Sequence, residues 1–187
     1  MSIPFPRHIQ ERARYIVAEL TARRETLAVA ESLTGGLLAA AIVEIPGASA
    51  VFRGGLVVYA TDLKGALVGV SGDLLRERGP VDPEVAAALA VGARDRCGAQ
   101  WALSTTGVAG PEPHGGHPPG TVFIGVAGPR SVGARRLALQ GDRAAVRAAT
   151  VEAALSLLAD TLVDSPASDL AGGADRSVRG PDMRDGV

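Results

Sequence analysis

The sequence predicts an α/β fold, a three-layer α/β/α sandwich around a mixed, mostly parallel sheet. Three observations carry this. Apolar runs of strand length alternate with amphipathic segments of helical spacing, the pattern of βα units whose strands lie parallel. Two further apolar runs follow each other directly across Gly128-Pro129, which makes at least one pair an antiparallel hairpin. At 187 residues, 47% hydrophobic but only 3% aromatic, the chain has enough Val, Leu, Ile and Ala for one core and too little length for two full domains.

Taken in order, residues 8–24 predict a helix, since Ile9, Ala13, Ile16, Val17 and Leu20 recur at helical spacing with Arg and Glu on the opposite face. Leu27, Ala28, Val29 and Ala30 predict a strand that runs into the polar junction Glu31-Ser32-Leu33-Thr34-Gly35-Gly36, and a helix over 35–45 stops at Pro46-Gly47. Phe52, Leu56, Val57, Val58 and Tyr59 mark a second strand within 51–60, interrupted by Gly54-Gly55. Asp62 is read as the cap of a short helix carrying Lys64, Leu67 and Val68. The stretch 70–82 is turn-rich, and Asp82 followed by Pro83 then starts a helix that ends near Cys97 with Gly98 as its C-cap. Strands are expected at 101–105, 121–127 and 131–139, with a Gly, Pro and His loop over 111–120. A last helix spans 142–162, and the composition of 166–187 predicts a disordered tail after a folded domain over 1–165.

Nineteen basic against twenty acidic residues leave a net charge of −1, so there is no basic excess to neutralise a nucleic-acid backbone, and the few aromatics offer little stacking surface. Nucleic-acid binding is not expected. A small phosphorylated substrate fits this composition, because one or two arginines and a helix end suffice to hold it. Cys97 is the single cysteine, which leaves no intrachain disulfide and no Cys-x-x-Cys site; it reads as a buried small hydrophobe. No apolar run reaches membrane-spanning length and no signal-like segment opens the chain, so no membrane partner and a cytoplasmic location are expected. Asparagine is absent, and Lys64 is the one lysine among the nineteen basic residues.

Three junctions hold polar groups that packing alone does not explain. In the first, Ser32 or Thr34 either caps the following helix or meets a ligand, while Gly35 and Gly36 permit close backbone approach and supply N–H donors for an anion. The residue order matches neither a P-loop nor a Gly-x-Ser-x-Gly elbow. In the second, Lys64 follows Tyr59 by five residues. In a chain that uses arginine for its other cations, a lysine suits a role needing a removable proton, since burial or a neighbouring cation brings an amine toward neutrality and a guanidinium stays charged. A plain surface lysine is the alternative. Tyr59 is a core residue with a paired hydroxyl or a proton relay near the serine. In the third, Thr105-Thr106-Gly107-Val108-Ala109-Gly110-Pro111 brings hydroxyls and backbone donors to a strand end, where α/β folds bind ligands. The loop after it is a lid or a substrate wall, and its His114 and His117 lack the partners of a metal site. Arg143 and Arg147 lie four apart on the last helix; Arg143 opposes the helix dipole in the first turn, a placement that a phosphate or carboxylate ligand would explain.

The segments Ala30 to Gly36, Phe52 to Ala60 and Thr106 to Pro111, in this order, resemble the CinA C-terminal domain family over about residues 8–163. The best-known activity of that family is nicotinamide-nucleotide amidohydrolase. The resemblance implies hydrolysis of the carboxamide of nicotinamide mononucleotide to nicotinate mononucleotide and ammonia, within pyridine nucleotide recycling. It also implies a homo-oligomer, no cofactor and no metal at the amidase site. The family's motif serine matches Ser32, its tyrosine and lysine match Tyr59 and Lys64, its Thr-Gly-x-Ala-Gly-Pro segment matches Thr106 to Pro111, and its later arginine matches Arg143. Two departures stand near the implied pocket: Thr61 where the family often has Asn, and His117-Pro118-Pro119-Gly120 where it usually has Lys-Pro-Val-Gly. Many relatives also carry an N-terminal domain resembling molybdopterin-cofactor-binding proteins; it is not in this sequence, and the pyrophosphatase activity associated with it is not expected.

The mechanism expected from these residues has Ser32 as nucleophile, neutral Lys64 as base and Tyr59 as orienting or relaying group. Backbone N–H groups of 34–36 or 107–110 stabilise the oxyanion. Glu31, Thr34, Gly35, Gly36, Thr106, Gly107, Gly110 and Arg143 contact substrate, with Arg143 toward the phosphate. Glu31 faces a positive pyridinium ring or simply fixes the strand–helix junction. The alternatives are a non-catalytic nucleotide-binding or scaffold protein of the same fold, or an amidohydrolase for another small amide.

Overall fold

Strand β1 (Leu27–Glu31) is buried along its whole length and organises the molecule. The computed structural model describes residues 5–165, and the tail expected at 166–187 lies outside them. On one side of β1 lies β2 (Phe52–Val57) and on the other β3 (Trp101–Gly107), both parallel to it. β3 pairs antiparallel with β4 (Thr121–Ala127) and β4 with β5 (Val132–Ala138), giving the order β2-β1-β3-β4-β5. Four strands therefore run one way and β4 runs against them, the mixed sheet expected from the βα repeats and the hairpin.

The period of two along each strand sorts the faces. Leu27 and Val29 of β1, Trp101 and Leu103 of β3 and Ile124 of β4 join the larger core, with α1 (Arg7–Arg23), α2 (Leu37–Val43) and α6 (Arg143–Asp164). The other face presents Ala28, Ala30 and Ala102. Against these small side chains α5 (Pro83–Cys97) packs Val85, Leu89 and Ala93, flanked by α3 (Thr61–Val68) and α4 (Gly72–Arg78). Truncating one of the fully buried leucines, such as Leu103 or Leu155, costs about 2–5 kcal/mol.

Asp82 caps α5 as expected, its side chain accepting from Glu84 N–H, with Pro83 at the first helical position and Gly98 left-handed after the end. Three details depart from the sequence reading. Residues 70–82 are not all turn: Gly72–Arg78 is helical, with Asp73 in its first turn and Arg76 and Arg78 in its last, charges that suit the helix dipole at both ends. The cap position of α3 belongs to Ala60, and Asp62 lies inside the first turn instead. Cys97, at the last position of α5, is half-buried and not fully enclosed. Among the described residues no helix is long and apolar enough to cross a membrane.

Candidate active site

The C-terminal ends of β1, β2 and β3 converge on one crevice, and the turn after β1 forms its floor. Gly35 and Gly36 adopt left-handed φ values of 59° and 99°, which a residue with a Cβ enters only at a cost, so α2 starts at Leu37 and the expected start at 35 moves two residues on. The cap of α2 is unusual. Neither Ser32 nor Thr34 provides it; the fully buried Glu31 carboxylate accepts from the N–H groups of Gly36 (2.9 Å), Leu38 (3.0 Å) and Ala39 (2.8 Å). A carboxylate can leave water there because three donors and the positive helix end replace its hydration. The turn is tied to β3 as well: Ser32 N–H donates to Thr105 O at 3.0 Å, and the Thr34 and Thr105 hydroxyls lie 2.7 Å apart.

Lys64 reaches this turn from α3 and is only 1% exposed. Its Nζ donates to Ser32 Oγ (3.2 Å), Val58 O (2.8 Å) and Tyr59 O (3.4 Å). Burial lowers its pKa to about 8, against the opposing pull of the Asp62 carboxylate. The partner set fixes what happens on deprotonation. A neutral amine keeps two N–H donors and gains a lone pair; two of the three partners are carbonyls, which only accept. The Ser32 hydroxyl is the partner that donates, and so its proton is the one turned toward the lone pair.

A cavity of about 320 Å³ opens over this pair. Ser32 and Lys64 line it together with Tyr59, Thr106, Gly107, Gly110 and Arg143, so seven of the residues singled out from sequence meet there. Arg143, the first residue of α6, spans the mouth, donating to Gly110 O at 3.0 Å and to Tyr59 Oη at 3.2 Å. The Tyr59 phenol is thus a wall group paired with Arg143, while its carbonyl holds Lys64. The Thr106 hydroxyl donates to Pro80 O, another cavity-lining residue, at 2.6 Å. Gly107 is required by space: a Cβ there would stand 2.6 Å from Thr121 O and 2.7 Å from Val122 Cα.

The match to the CinA C-terminal domain model runs over residues 9–162. The chain belongs to the CinA C-terminal domain family. A CinA-like protein of Frankia casuarinae is 48% identical over 155 residues, 83% of this chain and 36% of the relative. One from an Anaeromyxobacter species is 45% identical over 152 residues, 80% of this chain and 37% of the relative. The chain spans little more than a third of the length of these curated relatives. Among solved structures, the competence/damage inducible protein CihA from Agrobacterium tumefaciens is similar with a TM-score of 0.82 at 36% identity, covering 86% of this chain and 98% of that one. A CinA superfamily protein from Klebsiella pneumoniae gives 0.81 at 29% identity, covering 84% and 99%.

Four residues named from sequence as substrate contacts lie off the cavity wall of this family member. Glu31 has both carboxylate oxygens committed to α2, which corrects its placement beside a substrate ring in favour of the junction role. Thr34 is fully buried with its hydroxyl on Thr105. Gly35 N–H is taken up by Ser32 O and Gly36 N–H by Glu31, which removes both as anion donors. Donors are found elsewhere: the N–H groups of Leu33, Ala109 and Gly110, all cavity-lining residues, reach no backbone acceptor among the described residues. Sequence reading missed Leu33 and did not separate Ala109 and Gly110 from Val108, whose N–H bonds Thr121 O. It gave Glu112 no place in the site, and it read the loop that carries His114 and His117 as a lid or a substrate wall. His114 and His117 bond each other's backbone across Gly115-Gly116, a tight turn that makes the loop a cavity wall. No group of three or more His, Cys, Asp and Glu is placed to hold a metal among the described residues.

Proposed function

We propose that this chain hydrolyses the carboxamide of nicotinamide mononucleotide to nicotinate mononucleotide and ammonia. The observation that carries this is the Lys64–Ser32 contact, in which a buried amine with a lowered pKa has one partner able to give it a proton. Neutral Lys64 takes the Ser32 hydroxyl proton as Oγ bonds to the carboxamide carbon. The resulting oxyanion is met by the free N–H groups on the wall, Leu33 from the nucleophile turn and Ala109 or Gly110 from the facing loop. Lys64 returns the proton to the departing nitrogen, the C–N bond breaks and ammonia leaves a nicotinoyl ester on Ser32. Water then attacks that ester, Lys64 accepts the water proton and passes it to Ser32 Oγ, and the acid is released. Arg143, exposed at the first turn of α6, suits the substrate phosphate.

The test mixes purified protein with nicotinamide mononucleotide and quantifies ammonia and nicotinate mononucleotide, with Ser32→Ala and Lys64→Met alongside. Stoichiometric products that vanish in both variants are expected. A second reading, a pocket that binds a phosphorylated nucleotide without turnover, draws on the same contacts. As an ammonium, Lys64 has an acceptor for each of its three protons, and at pH 7 roughly nine-tenths of it carries that charge. Binding with no ammonia selects this reading; ammonia from a different carboxamide selects another small amide as substrate.

A further inference from the structure

Arg147 lies one turn beyond Arg143 on α6 and is half-buried, yet it does not face the cavity. Its Nε donates to Leu33 O at 3.0 Å and its Nη2 to Thr34 O at 2.7 Å, two successive carbonyls of the turn that carries Ser32. We propose that Arg147 is a positioning residue for the Ser32–Lys64 pair, holding the nucleophile turn from α6 so that the Ser32 hydroxyl and the Leu33 N–H keep their places against the Lys64 amine.

Residues 32–36 belong to no helix or strand, and two of them are glycines with left-handed φ, so the segment has little stiffness of its own. Glu31 fastens its far end to α2, and Thr105 fastens its near end to β3. Between them, Thr34 is held by its hydroxyl on Thr105, and its carbonyl also accepts from Leu37 N–H at 3.3 Å. Among the described residues the Leu33 carbonyl accepts from Arg147 alone, and that peptide is where the turn would otherwise rotate. A planar guanidinium bonding both at once restrains two peptide planes, which a single-point donor does not, and its charge strengthens each bond. The same helix holds the opposite wall, since Arg143 bonds Gly110 O and Tyr59 Oη. α6 therefore sets the nucleophile and the mouth of the cavity in one frame, with Arg147 acting on chemistry and Arg143 on binding.

The inference rests on the amidase reading for its turnover test, so a second readout is independent of substrate. Arg147→Met and Arg147→Lys are compared with the parent protein for thermal melting, kcat and KM on nicotinamide mononucleotide. Each is also compared for the rate at which a small sulfonyl fluoride modifies Ser32. In that reaction Oγ bonds to sulfur, fluoride leaves, and Lys64 takes the hydroxyl proton. A loss of about 100-fold in kcat is expected for Arg147→Met with KM within twofold, because an ångström of misplacement costs about that much. Labelling should slow in parallel, and Arg147→Lys should fall between. Unchanged kcat and labelling, or a raised KM at full kcat, would overturn the proposal and make Arg147 a ligand or a surface cation. If the parent releases no ammonia but Ser32 is labelled, the amidase reading fails and the labelling ratio decides the positioning role. A parent Ser32 that is inert in both assays overturns both.

Discussion

The Lys64 amine stands 3.2 Å from the Ser32 hydroxyl, and its other two hydrogen bonds go to the carbonyls of Val58 and Tyr59. Since carbonyls donate nothing, loss of one proton from Lys64 leaves a lone pair that Ser32 alone among these partners can fill. In the proposed mechanism the pair acts as a proton-transfer unit switched by the charge of the lysine.

The pH dependence of turnover follows directly. With Lys64 lowered to about 8 and the neutral form active, kcat/KM on the amide should rise tenfold per pH unit below that value and level off above it. A profile flat from pH 6 to 9 would remove Lys64 from the role of base.

Stability carries the same signature. The unfolded lysine titrates at 10.5 and the folded one at about 8, so between these values the unfolded chain binds the extra proton and stability rises with pH. Below about 8 both states are charged and the burial penalty, roughly 3 kcal/mol, is present in full. Lys64→Met should abolish the rise between pH 8 and 10.5, as read from urea midpoints, while its net effect at pH 7 is reduced by the two carbonyls left without their donor.

Glu31→Gln should act on stability and only indirectly on substrate. The amide keeps one acceptor oxygen for three N–H groups and turns an NH₂ toward a backbone donor, so a loss of about 2–3 kcal/mol is expected by denaturant unfolding. A raised KM with unchanged stability would return Glu31 to the substrate.

Arg143→Ala should raise KM about tenfold or more with kcat within a few-fold, the pattern of lost ground-state binding. Tyr59→Phe removes only the acceptor for Arg143, and a change below about threefold in kcat is expected. A collapse of kcat in Tyr59→Phe would restore the relay role to the phenol.

Gly107→Ala should unfold or severely weaken the domain by a loss of about 3 kcal/mol or more, since the new methyl meets the β4 backbone at Thr121 and Val122. Thermal melting decides it.

Much of this was legible in the chain itself. The strand–helix alternation, the hairpin across Gly128-Pro129 and the Asp82-Pro83 start of α5 are local patterns, and local patterns fix local structure. The lone lysine in an arginine-rich chain marked Lys64 because the chemistry of an amine differs from that of a guanidinium, whatever the fold. The tertiary structure alone decided which polar groups face the cavity. Glu31 and Ser32 are neighbours in sequence, yet one is consumed by three N–H groups of α2 and the other meets Lys64 from a different helix. Arg143 and Arg147 are four residues apart on one helix, yet one spans the mouth of the cavity and the other bonds the turn that follows β1. Residue type and spacing specify what a side chain is able to do. Its partners come from other segments, 32 residues away for Lys64 and Ser32 and 114 for Arg147 and Leu33, and only the packed sheet and helices bring those within hydrogen-bond distance.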